Sequence, residues 1–152
     1  PVSLGVFSLE QAEDLVDVSD FAKSLLDDFP IGSITLILDA KKKLDSRLGG
    51  QRVAIRVFAD PVARMLAKTV GPVTATSANP SGVEPSNIVS IAAKSLNLND
   101  YYVLEGICPG GKGSTILSIE KNELESCGFS VTIMREGVVP QTDVMAWMRK
   151  KR

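Results

Sequence analysis

Val70-Gly71-Pro72-Val73-Thr74-Ala75-Thr76-Ser77-Ala78-Asn79-Pro80-Ser81-Gly82 passes from a short apolar run into a block of hydroxyl, amide and glycine residues. Such a block has too little apolar surface for a core. It belongs on a turn just past a strand, where open α/β sheets take their ligands. Ser77, Asn79 and Ser81 bring hydroxyl and amide groups to that turn, and Gly82 lets backbone N–H groups approach an anion. The plainer reading is a βα loop in which the same residues only shape the turn.

Outward from this turn, strand and helix patterns alternate. Upstream, residues 2–7 read as a short strand, and Ser8 with Gln11 forms a capping box for a helix carrying Leu9, Ala12, Leu15 and Val16 on one face. Ser19 restarts helix, with Phe21, Leu25 and Leu26 apolar, until Pro30 stops it. Residues 33–39 are a β-branched strand, and 41–50 a charged loop. Residues 51–57 are a strand with Val53, Ile55 and Val57 on one face and Arg52, Ala54 and Arg56 on the other. Asp60-Pro61 caps a helix reaching about Thr69, and residues 72–76 form the strand that leads into the polar block.

Downstream, Ser86 is expected to cap a helix carrying Ile88, Ile91, Ala92 and Leu96. A strand over 101–104, a glycine-rich loop over 106–113, strands over 114–119 and 129–135 and a helix from about Thr142 to Lys150 complete the pattern. The class is therefore α/β: a single domain with a mixed sheet.

Bulk properties exclude several chemistries. A chain of 152 residues, 44% of them hydrophobic, can bury a core without staples. With 17 basic and 18 acidic residues, nonspecific nucleic-acid binding by the whole surface is disfavoured. Local basic patches remain open, at Lys41, Lys42, Lys43, Arg47 and Arg52 or at the tail Arg149 to Arg152, against the reading of a solvated loop and a helix end. The sequence has no histidine, which removes Ser-His-Asp and Cys-His catalysis. Cys108 and Cys127 fall in no paired-cysteine motif, so no metal site is expected. No apolar run approaches the roughly 18 residues of a membrane span, and the start lacks a signal peptide's basic region. A cytoplasmic, reduced protein is the expectation.

Gly106 to Lys112 nearly spells a P-loop, but Gly113 stands where Ser or Thr must hold magnesium, and Ser114 to Ile119 reads as strand rather than helix. The loop could still cradle an anion through its glycine amides with Lys112 as a point charge, or simply join two elements. Arg56 and Arg135 each end an apolar strand, a pattern that suits a phosphate or carboxylate clamp as well as plain solvation.

Taken together, four motifs resemble the YrdC family of threonylcarbamoyl-AMP synthases. Val53-Ala54-Ile55-Arg56-Val57 with Asp60-Pro61-Val62-Ala63 looks like its V-A-[VL]-R-x-P…HP-[VI]-A stretch. Thr74 to Gly82 follows its S/T-x-T-S-A-N-x-S-G signature, Gly113 to Leu117 its S-T strand, and Ile133-Met134-Arg135-Glu136-Gly137 its [IL]-L-R-x-G element. The resemblance implies a YrdC-like twisted mixed open sheet, helices packed around it and a concave cleft. It also implies a synthase that makes threonylcarbamoyl-AMP and pyrophosphate from L-threonine, bicarbonate and ATP, with magnesium arriving on the ATP. The group would then pass to adenosine in tRNA through a downstream threonylcarbamoyl transferase. By the same resemblance Arg56, Ala75 and Ser114 would hold threonine, and Ser77, Asn79 and Arg135 the nucleotide.

The sequence also departs from the family. Pro1 to Val6 looks like the strand that follows the family's basic Lys/Arg segment, so the domain is expected to be N-terminally incomplete. Gly5 stands where histidine is common, and Phe29 to Thr35 differs from the usual F-W-P-G-P-L-T. A second reading is therefore a non-catalytic module binding nucleotide or RNA, either tRNA or double-stranded. A third is a carbamoyltransferase-related module, whose zinc and acylphosphatase-like segments are not visible here. Missing edge strands would expose a sheet edge that a homodimer could cover.

Overall fold

The β-branched run Ile34–Asp39 and the alternating Arg52–Val57 pair antiparallel at the centre of a six-stranded mixed sheet. The computed structural model describes residues 1–104, 106, 108 and 110–151; Glu105, Ile107, Pro109 and Arg152 lie outside the described residues. In chain order the strands are β1 (Ser3–Val6), β2 (Ile34–Asp39), β3 (Arg52–Val57), β4 (Val73–Ala75), β5 (Thr115–Lys121) and β6 (Phe129–Arg135), arranged β4-β1-β3-β2-β5-β6. Strand β1 runs parallel to β3, and β2 parallel to β5, while the pairs β1–β4, β2–β3 and β5–β6 are antiparallel. The helices are α1 (Leu9–Ala12), α2 (Asp20–Asp27), α3 (Pro61–Val70), α4 (Val89–Ser95) and α5 (Gln141–Lys151). The chain divides into two compact units, one of Pro1–Ala75 with Gly113–Arg152, the other of Thr76–Lys112.

In the larger unit, strand alternation sorts the sheet into two unlike faces. Leu4, Val6, Ile34, Leu36, Leu38, Val53, Ile55, Leu117 and Ile119 point one way and pack with Leu9, Ala12, Val16, Ala22, Leu25, Val144, Trp147 and Met148 from the region of α1, α2 and α5. The opposite face carries Ser3, Gly5, Thr35, Ile37, Arg52, Ala54, Arg56, Ile116 and Ser118, which share its rows through the pairing registers. One face builds the core; the other presents polar groups.

Local chemistry starts and stops the helices. Ser19 accepts the Ala22 N–H at 3.2 Å, and Asp60 the Ala63 N–H at 2.9 Å with Pro61 at the first helical position. The expected box at Ser8 does not form. Gln11 instead accepts the Phe7 N–H at 2.8 Å and donates to Ala67 O at 2.8 Å, tying α1 to α3. Helix α1 stops at Ala12, so Leu15 and Val16 lie past it, with Val16 bridging Ala40.

At the other end of the core, Phe21 stacks on Phe129 at 5.0 Å and meets Trp147 edge-on at 5.3 Å. Trp147 Nε1–H donates to Asp28 at 2.7 Å. That hydrogen bond, helped by nearby Lys151, holds the Asp28 carboxyl below its ordinary range. A depressed folded pKa means its contribution is present above the ordinary value and lost as pH falls through the folded one. Trp147 emission should therefore stay constant down to about pH 4, near the ordinary carboxylate pKa, and shift only below it. Asp28→Asn should remove that transition from a fluorescence titration.

The smaller unit holds the polar block and α4. Ser86 accepts the Ile88 N–H at 3.1 Å and Ile88 takes the N-cap position, so the helix begins three residues after Ser86. Asn97 closes it with φ of 53°. The strand expected over 101–104 is absent: Asp100–Tyr102 is a 3-10 turn, with the Asn99 side chain accepting the Tyr101 N–H at 2.9 Å. A side chain that captures a backbone donor locally competes with sheet pairing, and here it wins.

Candidate functional site

The site face of the larger unit is organised around Arg56. Near the end of β3 its half-buried guanidinium donates through Nε to Gly32 O at 2.9 Å. Continuing the β2–β3 register one step sets Thr35 across from it. Thr35 is 2% exposed, and its hydroxyl lies 2.7 Å from that of Ser114, just before β5. Arg135, the last residue of β6, donates to Ser114 O at 2.9 Å. Three of the six expected site residues thus meet within one unit, with Thr35 and Gly32 as partners that the sequence reading passed over.

A β-bulge decides which way Arg135 points. Leu117 pairs with Ile133, yet Ile116 pairs with Arg135, so Met134 is the extra residue. Regular pairing would place Met134 opposite Ile116 and turn Arg135 to the core face, because strand side chains alternate. The bulge leaves Met134 59% exposed and puts Arg135 on the face that carries Thr35 and Arg56. Deleting Met134 should leave Arg135 opposite Ile116 in regular pairing, still on the site face. Pyrophosphate affinity, by titration calorimetry, should therefore largely survive that deletion but fall in Arg135→Ala.

Thr115 holds the chain that follows. It is fully buried; its hydroxyl accepts the Gly137 and Val139 N–H groups at 2.9 and 3.1 Å and donates to Val139 O at 2.6 Å. Val138 N–H donates to Gly113 O at 2.9 Å. The turn after Arg135 is thereby laid on the start of β5.

Charge marks Arg56 and Arg135 apart from the other cation on this face. Arg52 is neutralised, with Asp39 at 2.7 Å and the Ser118 hydroxyl at 2.6 Å. Neither Arg56 nor Arg135 forms an ion pair with a carboxylate among the described residues. Burial, and then the like charge of Arg135, push the Arg56 pKa below its ordinary value. Two close guanidiniums, each donating to a backbone carbonyl, favour an anion, which would satisfy their remaining donors and cancel the repulsion. Among the described residues no group of three or more acidic, histidine or cysteine side chains could hold a metal ion.

Ala75 ends β4 two strands from Arg56. It pairs with Ser3, whereas Arg56 pairs with Gly5, so it lies two residues away in register. Its carbonyl accepts the Ser3 hydroxyl at 2.7 Å. Ser77 and Asn79 belong to the smaller unit. Ser77 is exposed. Asn79 donates to Pro80 O at 3.1 Å and Val83 O at 2.7 Å, and its buried Oδ1 has no partner among the described residues. Asn79 therefore shapes the turn, and it also keeps one acceptor unused. The glycine-rich loop includes Ile107 and Pro109, which lie outside the described residues; β5 follows it directly, so the P-loop arrangement is absent.

Gly5 departs from the rest of this face in shape. A Cβ there would lie 1.8 Å from Phe58 Cζ, so the phenyl ring already fills that space. Gly5→Ala should cost about 1–3 kcal/mol by overpacking, measured by denaturant unfolding, and Phe58→Ala in the same chain should recover most of it.

A model of the Sua5/YciO/YrdC family, described under telomere recombination, matches residues 1–137. The chain belongs to the Sua5/YciO/YrdC family. It is 34% identical over 141 residues to a Methanocaldococcus jannaschii protein provisionally named a threonylcarbamoyl-AMP synthase, covering 92% of this chain. It is 29% identical over 127 residues to a threonylcarbamoyl-AMP synthase of Photobacterium profundum, covering 82% of this chain. The chain spans 64% of the length of each of these Sua5/YciO/YrdC relatives. Among solved structures it matches P. abyssi Sua5 complexed with L-threonine, with a TM-score of 0.76 and 23% identity over 96% of this chain and 42% of that one. The mixed α/β sheet is thus the Sua5/YrdC fold.

Proposed function

We propose that this family member makes threonylcarbamoyl-AMP from L-threonine, bicarbonate and ATP, the first step of threonylcarbamoyladenosine formation in tRNA. The observation that carries the reading is the pair Arg56 and Arg135, without carboxylate partners among the described residues, flanking the buried Thr35–Ser114 hydroxyl pair on one face of the sheet. The family match and the names of the two curated relatives support it.

The reaction joins the threonine nitrogen to the bicarbonate carbon with loss of water. A carbamate oxygen then bonds to the α-phosphorus of ATP as the bond to pyrophosphate breaks. Bicarbonate, the carbamate, ATP and pyrophosphate are all anions between which negative charge moves, so fixed cations serve the reaction better than a strong base. Arg56 would hold the amino-acid carboxylate, Arg135 the phosphate side, and Ser114 with Thr35 would orient the threonine amine. Ala75, Ser77 and Asn79 would complete the threonine and nucleotide contacts. Magnesium would enter on ATP, the compartment would be the cytoplasm, and a transferase would carry the group to tRNA.

Pyrophosphate release tests this directly: it should require ATP, threonine and bicarbonate together. Release that persists without threonine would refute the reading.

Lys41, Lys42 and Lys43 favour a second reading, RNA binding, because their side chains are exposed and in no ion pair among the described residues. Changing all three lysines to Gln should weaken RNA binding and reduce the slope of log K against log salt by about 2–3, near 0.9 per lost phosphate contact. An unchanged slope in a fluorescence anisotropy titration would remove this patch from consideration.

A further inference from the structure

We infer that the Phe58 ring is the specificity wall of the amino-acid pocket, closing it on the β1 side so that only a small side chain fits. This rests on the proposed use of Arg56 to hold an amino-acid carboxylate. Arg56 and Phe58 are two residues apart, so both point to the polar face, away from core residue Ile55. Gly5 pairs with Arg56 and faces the same way, and the ring occupies the space above it, 1.8 Å from where a Cβ would stand. A half-buried phenyl therefore stands on the flank of Arg56 toward β1.

The sheet order fixes what lies on the other flank. From β3 the sequence of strands runs through β2 and β5 to β6, which brings in Thr35, Ser114 and then Arg135. A carboxylate held by Arg56 leaves an amino acid two directions to offer. Its amine must face the hydroxyl pair and Arg135, where bond making and negative charge occur. Its side chain is left to face β1, and there it meets an apolar, unionisable ring with no hydrogen-bonding group. Selection on that side is by size: methyl-sized branches rest against the ring, and longer chains collide with it.

Gly5 and Phe58 act as one unit in this arrangement. Removing the ring opens room above Gly5, and restoring a methyl at position 5 takes part of that room back. The pair thus gives a gain and its reversal at separate positions.

The test measures ATP- and bicarbonate-dependent pyrophosphate release with glycine, alanine, serine, threonine, valine and leucine. It compares the wild-type chain with Phe58→Ala, Phe58→Leu, the Gly5→Ala/Phe58→Ala pair and Arg56→Ala, each checked for folding by circular dichroism. Phe58→Ala should raise kcat/KM for leucine relative to threonine by about 10-fold or more, the scale set by one or two methylenes in a pocket. Phe58→Leu, which keeps an apolar core if Phe58→Ala does not fold, should give a smaller shift in the same direction. Gly5→Ala/Phe58→Ala should move the ratio back toward wild type, and Arg56→Ala should lower release with every amino acid alike. An unchanged leucine-to-threonine ratio in folded Phe58 variants that still use threonine overturns this inference and leaves the synthase reading standing. No release by the folded wild-type chain with any amino acid overturns both.

Discussion

Arg56→Ala should reduce threonine-dependent pyrophosphate release by about 30- to 100-fold or more while leaving the ligand-free chain nearly as stable as before. The first part follows from the geometry. A charge-assisted bond from a half-buried guanidinium to a carboxylate is worth roughly 2–5 kcal/mol on truncation when the partner charge is left without its mate. The second part follows from the electrostatics. Arg56 gives one hydrogen bond to Gly32 O, worth about 1 kcal/mol. Against it stand its desolvation and the like charge of Arg135, the two causes of its lowered pKa. A group kept for folding would lose stability on removal; a group kept for a ligand need not. Steady-state kinetics and thermal melting on the same samples separate the two. A melting point that falls steeply with little kinetic loss would make Arg56 structural.

Gly137→Ala should be among the most damaging small substitutions in the larger unit. A Cβ at position 137 would stand 2.1 Å from Gly113 O and 2.5 Å from the Ser114 carbonyl carbon. Both are backbone atoms, so no rotamer relieves the clash. The whole 136–139 turn would have to lift from β5, breaking the bonds from Gly137 and Val139 N–H to the Thr115 hydroxyl and from Val138 N–H to Gly113 O. A cost of about 3 kcal/mol is expected, combining overpacking with lost buried hydrogen bonds. Arg135 and Ser114 ride on this turn, so anion affinity should fall with stability. Denaturant unfolding with calorimetric pyrophosphate binding checks both, and a Gly137→Ala chain of wild-type stability would refute the close approach. By contrast, a Cβ at Gly82 meets nothing within 4 Å, and only its positive φ of 81° resists substitution.

Much of this arrangement could be read from the residues. Period-two alternation in 51–57 placed Val53 and Ile55 in the core and Arg56 on the opposite face, because a strand leaves no other choice. Proline after an aspartate located α3. Other features lacked a local signal. Thr35 looked like one more β-branched strand residue, and only the register with β5 shows that it meets Ser114. The bulge at Met134 carries no glycine or proline to announce it, yet it decides the direction of Arg135. The Phe58 ring over Gly5 joins residues more than fifty positions apart, so neither one predicts the other. The 101–104 segment shows the reverse error. Its two tyrosines and valine have strand propensity, but the Asn99 side chain caps a turn there, and propensity gives way to local hydrogen bonding.

The most direct measurement supplies the folded chain with ATP, magnesium, L-threonine and carbon-13 bicarbonate, then follows the nucleotide products by mass spectrometry. Threonylcarbamoyl-AMP should form carrying the labelled carbon, disappear when threonine is omitted, and fall sharply in Arg56→Ala and Arg135→Ala. A folded chain that yields no labelled threonylcarbamoyl-AMP, or yields it equally with both arginines removed, would contradict the synthase role of this site.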